Sequence, residues 1–367
     1  MDSELTNCQP PIKLLALKSP PTSGALADNL LYIAEKSGEL LSFNLITKKK
    51  QRHAKEKVAI TAIIAIQDFV LYGTRKGHIK ALIDNRICRV ATRHTSSIVH
   101  FAFFETPEGE IDLITASADS RIYIWKVILT TNSESPTPST TTTPSRTLSL
   151  VFIKGLYGPD TPITSASLAN PPTLFLCTAA LSDTVRAFRL EKETQLLFKL
   201  PHSDQALLTL FLSANTFAVV SASNTLYLFN TDQVTPLHKL KASAFLPTTE
   251  ATPVLLKSYH PSTNPSTTST NSTHFILGFS TGHLFALTTT TNHKLKITGQ
   301  YQHHAIPNDL LQVQETATQT PTNTNSNLYL LSGKEERHQR FIINKTFTNS
   351  VDQFSPHQFT SHQLNTK

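Results

Sequence analysis

Cysteine is scarce in this sequence. Cys8, Cys88 and Cys177 are an odd number, lie far apart and form no Cys-x-x-Cys pair. That spacing offers neither a disulfide framework nor a cysteine zinc site, and a reducing intracellular setting is the expectation. Long apolar runs are missing as well. None approaches the roughly 18 residues that a membrane-spanning helix requires, so no membrane insertion is expected. The opening MDSELTNCQPPIK has no basic segment followed by an apolar one, hence no secretory signal is expected. The nucleotide-binding patterns GxGxxG and GxxxxGK followed by Ser or Thr do not occur. His303-His304 is an isolated pair without metal-ligand spacing around it. No cofactor, metal or small-molecule substrate is therefore expected.

What is present suffices for a sizeable core: 367 residues, 39% of them hydrophobic and 16% charged. Length alone suggests two or three domains, but a large all-β ring uses as much chain in one. The stretch from His94 to Val127 shows how the chain is built. His94 opens a polar turn, Ile98 to Phe104 and Leu113 to Ala118 read as strands, and a tight Asp119-Ser120 turn leads into a third strand, Ile122 to Trp125. The Asp119-to-Trp125 pattern recurs at Ser37 to Phe43, Lys76 to Leu82, Ser182 to Phe188, Ser223 to Phe229 and Thr281 to Leu287. A short apolar strand precedes each, and Gly, Asp, Asn or Ser stands where the chain must turn tightly.

The last positions of these units, 43, 82, 125, 188, 229 and 287, are 39, 43, 63, 41 and 58 residues apart. Three spacings match the period of roughly 40–45 residues of a four-stranded propeller blade. The two long ones contain Ser/Thr/Pro/Asn tracts, Thr130 to Ser149 and His260 to Thr273, too polar to join a core. A seventh unit is read from Asp309 to Glu315, Leu328 to Leu331 and Phe341 to Ile343, with a third polar tract over 316–327. IKLLAL, ending at Leu17, is read as the first strand of unit one. The strand that closes the ring must then come from Val351 to Phe359 or from before Pro10. The expected organisation is an N-terminal extension over 1–11, one domain over 12–345 with loops at 130–149, 260–273 and 316–327, and a tail over 346–367.

The unit from His94 to Trp125 resembles a WD40 repeat. It has the upstream His, the Ser-Ala-Asp before the turn and the strand ending in Trp; Lys126 stands where the family has the final Asp. The resemblance implies an all-β fold, a seven-bladed WD40-type propeller of four-stranded antiparallel blades. It also implies that His94, Ser117, Asp119 and Trp125 form a buried hydrogen-bonded set that is structural. The repeat accounts for each of these residues, and no nucleophile elbow accompanies them to suggest a hydrolase. In the other units Ser37, Lys76, Ser182, Ser223 and Thr281 replace the Asp, and Phe or Leu replaces the Trp, so plain apolar packing is expected there. His202 repeats the upstream His, and His304 is a second candidate for that place.

The net charge of +7 is local. The segment from Lys48 to Lys57 holds Lys48, Lys49, Lys50, Arg52, Lys55 and Lys57 against one acid, Glu56. Arg86, Arg89 and Arg93 fall in the corresponding part of the next unit. Two readings stay open: a solvated edge that discourages strand addition, or a basic sector for phosphates, an acidic partner or nuclear import. No aromatic residues interleave with the cluster, which speaks against single-strand stacking. By resemblance the protein is a non-enzymatic scaffold holding other protein subunits in an intracellular complex, in the nucleus or cytoplasm, with the basic cluster favouring the nucleus. The alternatives are a ribonucleoprotein subunit binding RNA through the basic sector, and the non-catalytic positioning subunit of an enzyme.

Overall fold

The computed structural model describes residues 12–132, 145–192, 194–242, 246, 251–259, 273–289, 294–302, 306–314, 326–333 and 341–346. Strand β1 (Ile12–Leu17) is followed by groups of four. The first group is β2 (Pro21–Ala27), β3 (Leu30–Glu35), β4 (Glu39–Asn44) and β5 (Lys50–Lys55). The second is β6 (Ile60–Ile66), β7 (Phe69–Thr74), β8 (Ile79–Ile83) and β9 (Arg86–Ala91); the third is β10 (Ile98–Glu105), β11 (Ile111–Ser117), β12 (Arg121–Asn132) and β13 (Ser145–Tyr157). The fourth is β14 (Ile163–Leu168), β15 (Leu174–Ala179), β16 (Thr184–Arg189) and β17 (Gln195–Lys199); the fifth is β18 (Ala206–Phe211), β19 (Thr216–Ser221), β20 (Thr225–Asn230) and β21 (His238–Lys241). The sixth is β22 (Pro253–Tyr259), β23 (Thr273–Phe279), β24 (His283–Thr289) and β25 (Leu295–Gln302), and β26 (Ile306–Gln314), β27 (Ser326–Gly333) and β28 (Phe341–Thr346) complete the described strands. They pair as seven four-stranded antiparallel sheets, among the described residues, the last in the order β26-β27-β28-β1.

Two expectations need correction. Strand β1 belongs to the last sheet, not the first: Ile12 pairs with Lys345 and Leu17 with Phe341. It is itself the closing strand. The proposed sources of that strand, Val351 to Phe359 and the residues before Pro10, lie outside the described residues, as does the 1–11 extension. The polar tract at 130–149 is also shorter as a loop than expected, because Thr130 to Asn132 pair with Ser145 to Thr147 as a continuation of the β12–β13 hairpin. Thr and Ser tolerate a half-exposed ribbon, so polarity alone did not mark the strand end. Ser326 and Asn327 likewise pair within β27, and Thr346 within β28.

Each innermost strand lies against the innermost strand of the next sheet, from β2 through β6, β10, β14, β18 and β22 to β26, and β26 returns to β2. The apolar clusters form between sheets. Ile66, Leu71 and Ala81 of the second sheet pack with Leu113, Tyr123 and Trp125 of the third. Leu15 and Leu17 of β1 pack on Leu31, Leu41 and Phe43 of the first sheet. The six recurring third-strand positions, Phe43, Leu82, Trp125, Phe188, Phe229 and Leu287, are all buried. Each sits directly across from a second-strand residue: Leu31, Val70, Leu113, Phe175, Phe217 and Phe275. Connections between sheets and the turns joining second to third strands share one end of the strands, here the upper face. The other turns form the lower face.

Five upper-face turns use one device. Gly38, Gly77, Ser120, Asn224 and Gly282 all have positive φ, from 57° to 86°. Each donates its N–H to the carbonyl three residues back, at 2.9–3.2 Å. This is the short hairpin turn that ends in a left-handed residue. Glycine is required for a second reason at two of them. A Cβ on Gly38 would lie 2.5 Å from the Glu56 carbonyl oxygen, and one on Gly77 2.5 Å from that of His94. Gly77→Ala should therefore lower unfolding stability by about 2 kcal/mol or more. Ser120→Gly, where the strain is relieved, should stay within about 1 kcal/mol of wild type. Urea unfolding monitored by the single tryptophan measures both.

Candidate functional site

The third sheet holds a buried polar set. His94, in the loop entering the sheet, places Nδ1 3.0 Å from Asp119 Oδ2 and Nε2 2.8 Å from Thr115 Oγ1. Trp125 Nε1 donates to the same Thr115 oxygen at 2.9 Å. Asp119 also accepts from the backbone N–H of Thr95 at 2.9 Å and of Arg121 at 3.1 Å. The hydroxyl at the centre is thus Thr115, where the sequence pointed to Ser117. Ser117 donates to the Ser96 carbonyl at 3.1 Å and accepts from the N–H of Asp119 at 3.2 Å. Both hydroxyls lie on the same face of β11, two residues apart, and only the register distinguishes them. Burial works to raise the Asp119 carboxyl, but the bonds from His94 and Thr95 outweigh it and hold the group below its ordinary value. Both ring nitrogens of His94 are engaged, and its ring lies on Tyr123 at 4.5 Å. The set ties a loop and a turn to two strands.

The second sheet has a charged counterpart that no motif announced. Glu56 stands four residues before β6, as His94 stands four before β10. It accepts from Tyr72 Oη at 2.9 Å and from Lys80 Nζ at 2.8 Å and 2.9 Å. Tyr72 and Lys80 occupy the register positions of Thr115 and Tyr123. This sheet adds the network to the apolar packing expected here. The fifth sheet comes nearer to it: Phe217 and Phe229 stack at 5.3 Å with Phe198 against Phe217 at 4.9 Å. His202 does not take the upstream His role; it is exposed, at φ 60°, and Asp204 instead accepts from the Ser223 N–H at 3.2 Å. His304 lies outside the described residues.

The basic residues do not form one spot. Lys48, Lys49, Lys50, Arg52, Lys55, Lys57, Arg86, Arg89 and Arg93 are all exposed. Lys48 and Lys49 lie in the lower-face turn before β5, and Lys55 and Lys57 reach the upper face. On the neighbouring outer strand, Arg86 is at the lower end and Arg89 nearer the upper one. Arg93 turns to the third sheet, its guanidinium 3.7 Å from the centre of the Phe152 ring. Lys55 and Arg52 face Glu39 at 3.2 Å and 3.9 Å.

A cavity of about 410 Å³ opens at the upper end of the fourth sheet, lined by Pro159, Asp160, Ser182, Asp183, Arg186 and Ser203 among others. It occupies the place that His94 fills in the third sheet, since Pro159 stands four residues before β14. Leu181 overhangs it, 85% exposed and at φ 59°. A branched side chain held in left-handed backbone and left in water costs free energy on both counts. Sequence patterning gave no sign of it, because the turn is one residue longer than its counterparts.

Removing Thr115 leaves His94 and Trp125 with unpaired buried donors or acceptors. Thr115→Ala should cost about 2–4 kcal/mol and Ser117→Ala about 1 kcal/mol, by urea unfolding. Because the folded Asp119 carboxyl is held below its unfolded value, its contribution is complete above the ordinary carboxylate range and is lost as pH falls through the folded value. The gap between wild type and Asp119→Asn should accordingly narrow below about pH 4.

No protein-family model and no curated protein matches the sequence. Solved structures do. The chain is similar to the crystal structure of RRP9 WD40 repeats, with a TM-score of 0.67 at 12% identity over 93% of this chain and 100% of that one. It is similar as well to the structure of U3-55K, with a TM-score of 0.65 at 12% identity over 91% of this chain and 98% of that one. With the repeated four-stranded sheets, the likeness shows that the chain has the propeller fold of those WD40 repeats.

Proposed function

We propose that the chain is a closed seven-bladed ring acting as a non-enzymatic scaffold, a subunit of an intracellular multi-protein complex in the nucleus or cytoplasm. One observation carries this reading. The polar side chains that would draw attention as catalytic are spent on architecture, while a strained apolar residue is left in water beside an open cavity. His94, Asp119, Glu56 and Asp204 each hold a loop or turn in place. Leu181 holds nothing and projects from the upper face. Tyr157, 61% exposed at the end of β13, leads into the loop that lines the same cavity. Apolar and aromatic anchors beside a recess with polar walls are what a partner chain uses to dock. The ring, on this reading, positions other subunits and performs no chemistry of its own.

Tagged wild type, purified from its own cells under nuclease treatment, should retain a defined set of proteins by mass spectrometry. Leu181→Asp, which removes an exposed residue and spares the fold, should deplete at least one of them more than fivefold. An unchanged set would move the docking surface elsewhere, and no retained proteins at all would contradict the scaffold reading.

A further inference from the structure

We propose that the cavity at the upper end of the fourth sheet takes a carboxylate side chain, Asp or Glu, from the protein segment that docks there, and that Arg186 is its partner. The inference rests on the docking reading above and adds the chemistry that the docked segment must carry.

Strand register places Arg186. It pairs with Cys177 across β15 and β16, as Lys80 pairs with Tyr72 and Tyr123 with Thr115. In the third sheet the side chain at this position meets His94, whose ring lies 4.5 Å from that of Tyr123. In the second it meets Glu56, which accepts from Lys80 at 2.8 Å and 2.9 Å. His94 and Glu56 each stand four residues before an innermost strand. In the fourth sheet that place belongs to Pro159, whose side chain has no acceptor. The fourth sheet therefore keeps the cation of the second sheet and lacks its counter-charge. Cys177 does not supply one. It is buried, and burial pushes its thiol up to about 12, so it stays neutral.

Most other polar groups of the wall are already taken. Thr161 donates to the Ala180 carbonyl at 2.7 Å, and Ser182 to the Thr184 carbonyl at 3.2 Å. Asp183 accepts from Thr184 Oγ1 at 2.9 Å and lies 3.4 Å from Lys199 Nζ. Asp160 is exposed and stands outside ion-pair distance of Arg186. Arg186 lines the same cavity and is partly buried. It has neither an ion pair nor a side-chain hydrogen bond among the described residues. A guanidinium in that situation is matched best by a carboxylate, whose two oxygens accept from its fork of N–H donors together.

The surroundings select among anions. A phosphorylated side chain carries nearly two negative charges, and Asp160 and Asp183 in the same wall oppose the second one. A single carboxylate charge is balanced by Arg186 alone. A free small anion would leave Leu181 in water, 85% exposed as it is. A peptide segment that sets an apolar side chain on Leu181 and an acidic one against Arg186 satisfies both.

The test pans a phage library of random twelve-residue peptides against the immobilised full chain, as wild type, Arg186→Gln, Arg186→Glu and Leu181→Asp. Wild type should enrich peptides with Asp or Glu close to an apolar residue. Arg186→Gln breaks no side-chain contact of the folded chain; it should keep the apolar preference and lose the acidic one. Arg186→Glu should turn the acidic preference into one for Lys or Arg, a gain that misfolding does not produce. A peptide selected by wild type, resynthesised with Gln or phosphoserine in place of its acidic residue, should bind at least about tenfold more weakly by fluorescence anisotropy, the worth of one charge-assisted hydrogen bond. Peptides that are lost with Leu181→Asp but show no acidic preference, or one that Arg186→Gln leaves unchanged, overturn this proposal while the docking reading stands. Enrichment that Leu181→Asp does not alter, or no enrichment at all, overturns the docking reading and this proposal with it. Tighter binding of the phosphoserine peptide overturns the choice of a carboxylate.

Discussion

The inner edge of the ring sets the terms for everything else. Seven innermost strands present one edge of backbone groups with no sheet partner, and an open edge must be paired, capped or wetted. Here side chains of one sheet serve the backbone of the next. Ser165 and Ser167 accept from the N–H groups of Thr209 and Phe211 at 3.2 Å and 3.0 Å, and Thr22 donates to the Ile60 carbonyl at 2.6 Å. Asp309, buried in β26, accepts from the Gly24 N–H at 2.9 Å and lies 3.2 Å from Lys257 of the sixth sheet. By register, Asp309 on Gly24 and Ser165 on Thr209 are the same contact in different parts of the ring. The Asp309 case joins the last sheet to the first, with a charge where the other seam uses a hydroxyl.

Closure explains where the apolar residues go. A sheet wedged between two neighbours buries both faces, so Leu40, Ile33 and Tyr72 are as buried as any residue in the chain. Phe and Leu can then replace Trp at the third-strand position without loss of packing, because each fills a space between sheets. What apolar packing does not fix is the path of the loops on the upper face. The chain fixes those one sheet at a time with whichever polar group is to hand: His94 with Asp119, Glu56 with Tyr72 and Lys80, Asp204 with Ser223. In the fourth sheet Thr161 of the entering loop donates to the Ala180 carbonyl at 2.7 Å, and the cavity under Leu181 opens beside it.

Much of this was legible in the sequence. The period, the buried third-strand positions and the left-handed turn residues repeat locally, and local repetition is what a sequence displays. The features that escaped depend on pairing across distance. IKLLAL has the same apolar pattern whether it begins the first sheet or closes the last, and its partner β28 lies more than 300 residues away. Thr115 and Ser117 offer the same hydroxyl on the same face, and only the register places one of them between His94 and Trp125. Glu56 sat in a run of cations and read as their lone counter-charge, while its partners were on β7 and β8. The basic run looked like one cluster because it is continuous in sequence; as strand β5 it is drawn out from one face to the other.

Closure at the Asp309 seam holds the first and last sheets together, and Trp125, the single tryptophan, reports on it from the third sheet. The measurement is urea unfolding of Asp309→Ala followed by Trp125 fluorescence. If the ring is one cooperative unit, the distant tryptophan should register a loss of about 2–4 kcal/mol, the cost of leaving a buried N–H and an ammonium without their acceptor. A Trp125 transition at the wild-type midpoint, with the mutated seam opening separately, would contradict the account.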